Sequence, residues 1–283
     1  MNKNVHTFLG CESSFEEADI VLFGAPFDGT TSYRPGARFG PSAIRGESFG
    51  IETYSPYQNR DLAELKVCDA GDLELPFGNT PKALAAIGGA AAHILQAGKT
   101  PFMLGGEHLA TLPAVSAALQ KYPGLCVVQF DAHADLRSSY LGEELSHATV
   151  MHRVWQRLGS GGLYQFGIRS GEKQEFEFAK KNTRLHPFTL NGFAAAVKEL
   201  QGRPVYFTLD LDVLDPSVFP GTGTPEPGGV SFAELLEAVL LLRQLRVVAC
   251  DVNELSPVYD ASGASTAAAC KIVREILLTF KGA

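Results

Sequence analysis

The sequence predicts an α/β fold on a mostly parallel sheet. Apolar runs of strand length alternate with longer segments of helical period, the pattern of parallel strands joined by crossover helices. Several of these runs are apolar throughout and read as strands buried on both faces. A chain of 283 residues, 45% apolar and 19% charged, holds enough Val, Leu, Ile and Phe for one large core, and a single domain over residues 1–283 is expected.

Ile20-Val21-Leu22-Phe23 is the first strand. The Gly/Pro/Arg-rich stretch from Arg34 to Pro41 follows; it is expected to be irregular, and to build a site rim or a subunit contact. A short strand spans 65–69. Asn79 then caps a helix with Pro81 just inside it, running to about Ala97 and ended by Gly98. Further strands fall at 100–104, 125–130, 164–168, 205–209 and 247–252. Further helices are expected at 109–120, 147–158, 172–181, 192–200, 231–242 and 266–280. No internal repeat or low-complexity tract interrupts the pattern.

A formal net charge of −7 argues against a nucleic-acid partner and mildly favours a cationic substrate. Five scattered cysteines without C-x-x-C spacing read as reduced core residues, Cys126 and Cys250 lying inside strand-like runs. Residues 1–5 lack the apolar region of a signal peptide, and no apolar stretch approaches the roughly 18 residues of a membrane span; the chain is expected in the cytosol with no membrane partner.

The chemistry is written at the carboxyl ends of the buried runs, where open α/β sheets bind ligands. Asp131, His133 and Asp135 stand at alternate positions after the run 125–130, a spacing expected to project them to one side. Asp210 and Asp212 follow the run 205–209 in the same way, and His108 follows the run 100–104 across Gly105-Gly106-Glu107. A single Asp-x-His is ordinarily a capped surface turn. Four acids at the ends of two buried strands repel one another unless cations neutralise them. Carboxylate and imidazole donors without thiolate point to a hard or borderline ion such as manganese, cobalt, nickel or zinc, and six donors suit two ions bridged by shared carboxylates. Glu254, after the strand 247–252, shares the same edge, and His147 opens a helix a dozen residues beyond Asp135. His6, His93, His152 and His186 read as structural.

Gly105-Gly106-Glu107-His108, Phe130-Asp131-Ala132-His133-Ala134-Asp135, Leu209-Asp210-Leu211-Asp212-Val213-Leu214-Asp215-Pro216 and Glu254-Leu255-Ser256-Pro257 together resemble the ureohydrolase family of manganese enzymes, which includes arginases, agmatinases and guanidinobutyrases. Ser32 to Pro41 and Pro220 to Pro225 extend the resemblance over nearly the whole chain. It implies a three-layer α/β/α fold and two Mn2+ per chain, one held by His108, Asp131, Asp135 and Asp210 and the other by Asp131, His133, Asp210 and Asp212. It further implies that a water activated between the ions attacks the guanidinium carbon and that Asp135 carries a proton to the leaving amine. In the same family pattern Glu254 pairs with the guanidinium, His147 shuttles protons or orients substrate, and Thr224 lines the pocket. The chain departs from a common agmatinase pattern at Ser146 and Glu107, where aspartates often stand.

Asp135-Leu136-Arg137-Ser138-Ser139 lacks the Asp-x-Asn-Thr pattern with which arginases grip the amino-acid end of arginine, so agmatine, cleaved to putrescine and urea, is the expected substrate. Glu143, Glu144 and Glu226 are candidates to attract its distal amine. A guanidino acid such as guanidinobutyrate, paired with Arg137, is the alternative within the same chemistry. Outside it stand a single-zinc deacetylase-like enzyme, which a metal count near two per chain would exclude, and a non-catalytic scaffold, which urea release would exclude. The resemblance also implies a homo-oligomer, a trimer or hexamer. Light scattering is expected to give a multiple of the chain mass, and a mass near 30.3 kDa would refute this.

Overall fold

In the computed structural model, which describes residues 6–280, the strands are β1 (Ile20–Ala25), β2 (Tyr54–Ser55), β3 (Arg60–Asp61), β4 (Val67–Asp72), β5 (Thr100–Gly105), β6 (Cys126–Phe130), β7 (Leu163–Ile168), β8 (Arg184–Pro187), β9 (Pro204–Asp210) and β10 (Arg246–Asn253). The helices are α1 (Gly40–Glu47), α2 (Thr80–Gln96), α3 (Thr111–Lys121), α4 (Val150–Leu158), α5 (Lys173–Asn182), α6 (Phe193–Leu200), α7 (Phe232–Leu240) and α8 (Ala264–Thr279). Residues 1–5, expected to lack the apolar region of a signal peptide, lie outside the described residues. Among the described residues no helix is long and apolar enough to cross a membrane.

Eight strands form one sheet in the order β4-β1-β5-β10-β9-β6-β7-β8, and every neighbouring pair is parallel. Parallel strands need crossovers, and the helices that supply them cover both faces. One apolar core joins the sheet to Ile44 of α1, Phe193 of α6, Leu235 of α7 and Ile276 of α8. The other joins it to Ile87 of α2, Val115 of α3, Val154 of α4 and Ala179 of α5. The result is the three-layer α/β/α arrangement. All five cysteines are free and buried, as expected.

Three expectations are corrected. The Arg34–Pro41 stretch is not wholly irregular: Ala37–Phe39 is a 3-10 turn and α1 begins at Gly40, with Pro41 in its first turn where a missing N–H costs nothing. The Asp28 carboxylate closes the preceding loop by accepting the Gly36 N–H at 3.0 Å. Strand β8 and the small antiparallel β2–β3 hairpin went unread; β8 is half-exposed, short and not apolar. Finally, β6 ends at Phe130, so Asp131, His133 and Asp135 are not gathered by strand alternation. They lie in a loop whose Asp135 has φ 53°, the left-handed region.

What positions that loop is the ring of Phe130, fully buried and edge-on to Phe166, Phe193 and Phe207 at centroid distances of 5.6, 4.9 and 5.1 Å. It pins the last residue of β6 immediately before Asp131. At the end of β5 the constraint is glycine. A Cβ on Gly106 would lie 2.0 Å from the Phe27 carbonyl oxygen, and one on Gly105 would overlap the Asn253 side chain. The close approach lets Gly106 N–H donate to the Ala25 carbonyl at 2.9 Å while the Glu254 N–H donates to the Gly106 carbonyl at 2.9 Å, tying β1, β5 and β10 at the level of His108. Gly106→Ala meets backbone, which cannot yield as a side-chain tip would. It is expected to lower unfolding free energy by about 1–3 kcal/mol in urea titrations; unchanged stability would contradict the close approach.

Candidate metal centre and its pocket

Four neighbouring strands in the middle of the sheet, β5, β10, β9 and β6, end at the same edge. Their carboxyl ends deliver His108, Glu254, Asp210 with Asp212, and Asp131 to Asp135 respectively. The topology therefore turns motifs more than a hundred residues apart into neighbours.

Two triplets emerge. Ligand atoms of His108, Asp131 and Asp135 lie within 4.8 Å of one another, as do those of Asp131, His133 and Asp212, and Asp131 belongs to both. His108 Nδ1 faces Asp131 Oδ2 at 2.9 Å, Asp135 Oδ2 at 3.1 Å and Asp210 Oδ2 at 3.6 Å. His133 Nδ1 faces Asp212 Oδ2 at 2.9 Å and Asp131 Oδ1 at 3.7 Å. Backbone amides hold the carboxylates in place: the N–H of His133 donates to Asp131 at 2.6 Å, that of Asp212 to Asp210 at 2.9 Å, and that of Ala132 to Asp212 at 3.1 Å. The Gln129 amide supports Asp131 Oδ2 at 2.7 Å and is itself held by Gln165 at 2.7 Å.

The electrostatics show what such a cluster lacks. Burial, then repulsion from Asp212, Asp131 and Glu254, raises Asp210 well above the ordinary carboxylate range. Burial and Asp131 push Asp135 up to about 7. Burial alone would lower His108 and His133, but their carboxylate partners, Asp131 and Asp135 for one, Asp212 and Asp131 for the other, hold both imidazoles well above their usual value. Asp131 is lowered despite its burial because both imidazoles hydrogen-bond to it. Protons on imidazoles and acids thus answer the negative charge. Two divalent cations among the same oxygens and Nδ1 atoms would cancel four carboxylates and displace those protons. The donor set, oxygen-rich with two imidazoles and no thiolate, fits manganese.

Above the cluster opens a cavity of about 340 Å³ lined by His108, His133, Asp135, Asp210, His147, Thr224 and Glu254 among others. Glu254 has φ 67° and accepts the His108 N–H on Oε1 at 2.8 Å. Burial, then Glu107, raises its carboxyl to about 8. Thr224 Oγ1 lies 3.4 Å from Asp212 Oδ2. His147 sits in a ring of hydroxyls, its Nδ1 3.3 Å from Ser146 Oγ and its Nε2 3.4 Å from Ser32 Oγ, and burial lowers its pKa. The structure therefore brings His108, Asp131, His133, Asp135, His147, Asp210, Asp212, Thr224 and Glu254 to this one edge.

Ser32, Tyr33, Tyr140, Ser170, Glu172 and Glu175 also line the cavity and were not assigned to the site, although Ser32 and Tyr33 stand in the segment 32–41 and Ser170 follows β7. Glu143, Glu144 and Glu226, expected to attract a distal amine, do not line it. Tyr140 and Glu143 exchange backbone hydrogen bonds at 2.8 and 2.9 Å in a tight turn, and Glu144 faces Arg153 at 3.8 Å. Glu226 contributes its carbonyl to Arg169 at 2.7 Å. Glu107 is buried and engages Thr30 and Thr31, which seat His147 through the Thr30 hydroxyl at 3.0 Å from its N–H.

The sequence profile of the Arginase family matches residues 18–279. The agmatinase of Bacillus anthracis is 48% identical over 275 residues, covering 96% of this chain and 95% of its own. The proclavaminate amidinohydrolase of Streptomyces clavuligerus is 36% identical over 93% of this chain and 88% of its own. A solved Clostridium difficile structure superposes with a TM-score of 0.93 at 49% identity, covering 94% of this chain and 98% of that one. The chain belongs to the arginase family. It is a ureohydrolase, and the parallel sheet with helices on both faces is the fold of these relatives.

Because Asp131 belongs to both triplets, Asp131→Asn is expected to remove bound metal and activity together, as is Asp210→Asn, while His108→Ala weakens one ion more than the other. Elemental analysis beside a urea assay checks this; a fully active Asp131→Asn protein would contradict it.

Proposed function

We propose that this chain hydrolyses agmatine to putrescine and urea at a dinuclear manganese centre. His108, Asp131, Asp135 and Asp210 would hold one ion and Asp131, His133, Asp210 and Asp212 the other, with Asp131 and Asp210 shared. The two ions, when bound, supply Lewis acidity and lower the pKa of a water enough to make it a nucleophile at neutral pH.

The chain's own groups supply the rest. Glu254 is held by the His108 N–H and offers its other oxygen to the cavity, where a carboxylate matches the donor fork of a guanidinium. A guanidinium beside it restores the ionised form that burial opposes. Asp135, at the cavity wall with its Oδ2 3.1 Å from His108 Nδ1, is placed to hand a proton to the leaving amine. His147, lowered by burial and surrounded by hydroxyls, is neutral at pH 7 and suited to pass that proton between cavity and solvent. Thr224 confines the planar group from the Asp212 side.

The observation that supports an amine tail is the engagement of Arg137. Its guanidinium pairs with Glu172 at 3.1 Å and Glu175 at 3.6 Å and stacks over Tyr140 at 4.8 Å. An arginine so engaged is not a free receptor for a substrate carboxylate. With two acids against one base, this side of the cavity favours a cationic amine, as agmatine carries. The agmatinase of Bacillus anthracis supports the same choice. A homo-oligomer, a trimer or hexamer in the cytosol, completes the reading.

A urea-release screen with manganese across agmatine, arginine, guanidinobutyrate and guanidinopropionate is expected to give agmatine the highest kcat/KM. Preference for guanidinobutyrate would show that Arg137 leaves its acids for the substrate. Glu254→Gln keeps shape but loses charge; metal content is expected to hold while kcat/KM falls about ten- to a hundred-fold, the worth of a charge-assisted contact of roughly 1.5–3 kcal/mol. Loss of manganese in this variant would assign Glu254 to the ions instead.

A further inference from the structure

Beneath His108, on the side away from the cavity, lies a buried polar chain that the proposed reaction does not use. His108 Nε2 is 2.9 Å from Thr208 Oγ1 on β9, and the Thr208 hydroxyl donates to Asp251 Oδ1 on β10 at 2.6 Å. Asp251 also accepts from the Tyr206 hydroxyl on Oδ2 at 2.5 Å and from the Asn253 amide on Oδ1 at 2.6 Å. Thr208 and Asp251 are fully buried, with no solvent to serve as an alternative partner. Such a carboxylate in the middle of a parallel sheet has a desolvation cost that packing does not require, since a Val, Leu or Ile would fill a central strand position with none.

Proton counting fixes the direction of the chain. A threonine hydroxyl has one proton and two lone pairs. With that proton given to Asp251, the oxygen can only accept from His108. The imidazole must then keep a proton on Nε2, so that the proton a cation displaces is the one on Nδ1, whose lone pair would then face the ion among Asp131, Asp135 and Asp210. We infer that Asp251, acting through Thr208, is a positioning residue that sets the tautomer and ring orientation of His108 and thereby the affinity of the ion His108 holds. Neighbouring strands achieve this because β9 and β10 pair in register, Asp251 opposite Thr208, so that both side chains emerge on the same face. His133 has no comparable buried carboxylate relay: its carbonyl is reached by Gln129 at 3.3 Å, and its imidazole is a quarter exposed. Two ions bound here would therefore be held with different rigidity.

The inference rests on the cluster being a metal centre but not on the identity of the substrate. Metal-free protein is titrated with manganese alone, by electron paramagnetic resonance and chelator competition. Thr208→Val, nearly isosteric, and Asp251→Asn are each expected to weaken one of two binding steps about 10- to 100-fold, the usual effect of removing a partner behind a metal ligand. Thr208→Ser keeps the hydroxyl and is expected to restore binding to within a few-fold. Tyr206→Phe removes a donor to Asp251 but leaves the relay and is expected to leave binding unchanged. Wild-type affinity in Thr208→Val, or equal loss in Thr208→Ser or Tyr206→Phe, would overturn the inference. A measurement on the wild-type chain stands apart from any variant's folding: 15N-histidine spectra of the zinc-loaded protein should show His108 protonated at Nε2, and a proton at Nδ1 would also overturn it. A wild-type chain that binds no manganese would instead overturn the metal centre itself.

Discussion

Four carboxylates, those of Asp131, Asp135, Asp210 and Asp212, are buried together at one edge of the sheet, and their mutual repulsion is the constraint around which the rest is arranged. In water these groups would stay apart. Here the chain fixes them within a few ångströms by anchoring the strands that carry them and by giving their oxygens backbone donors. Those donors stabilise Asp131, Asp210 and Asp212 without cancelling their charge. Cations would complete the balance, and the same cations would account for chemistry at this edge.

The scaffold can hold so unfavourable a group because the order β5-β10-β9-β6 places four strand ends side by side in the best-covered part of the sheet. Phe130, locked among three other phenylalanines, and the glycine pair Gly105-Gly106, which lets β1 and β10 close around the turn, fix the two ends that matter most. Among the described residues, two of the six non-glycine positions with positive φ stand at the site. Asp135 and Glu254, a proposed ligand and a proposed substrate anchor, both adopt left-handed backbone that non-glycine residues ordinarily avoid. Such conformations persist only where surrounding contacts impose them, here the Met151 and His152 amides donating to the Asp135 carbonyl and the Glu254 amide donating to Gly106.

Much of this was legible in the sequence because buried parallel strands are continuous apolar runs, and carboxylates at their ends have no ordinary structural reason to be there. The strands carrying His108, Asp131, Asp210 and Glu254 were read for that reason. Alternation misassigned the geometry of Asp131, His133 and Asp135, since the strand stops at Phe130 and a loop does the gathering. Glu143, Glu144 and Glu226 were placed near the substrate from charge alone, and charge does not say which way a turn points its side chains. Glu172 and Glu175, which do face the cavity, sit in an ordinary helix start, so only the packing of α5 against the site distinguishes them. The supports Gln129, Thr208 and Asp251 were hidden for the opposite reason: single polar residues within apolar runs look like interruptions until their partners on neighbouring strands are known.

The central claim, that the acidic cluster exists to be neutralised by two ions, is tested most directly by counting them. Native mass spectrometry of the wild-type chain reconstituted with manganese should give two ions per chain, with a marked rise in thermal stability over the metal-free protein. One ion per chain, or none with the cluster stable unaided, would contradict the account.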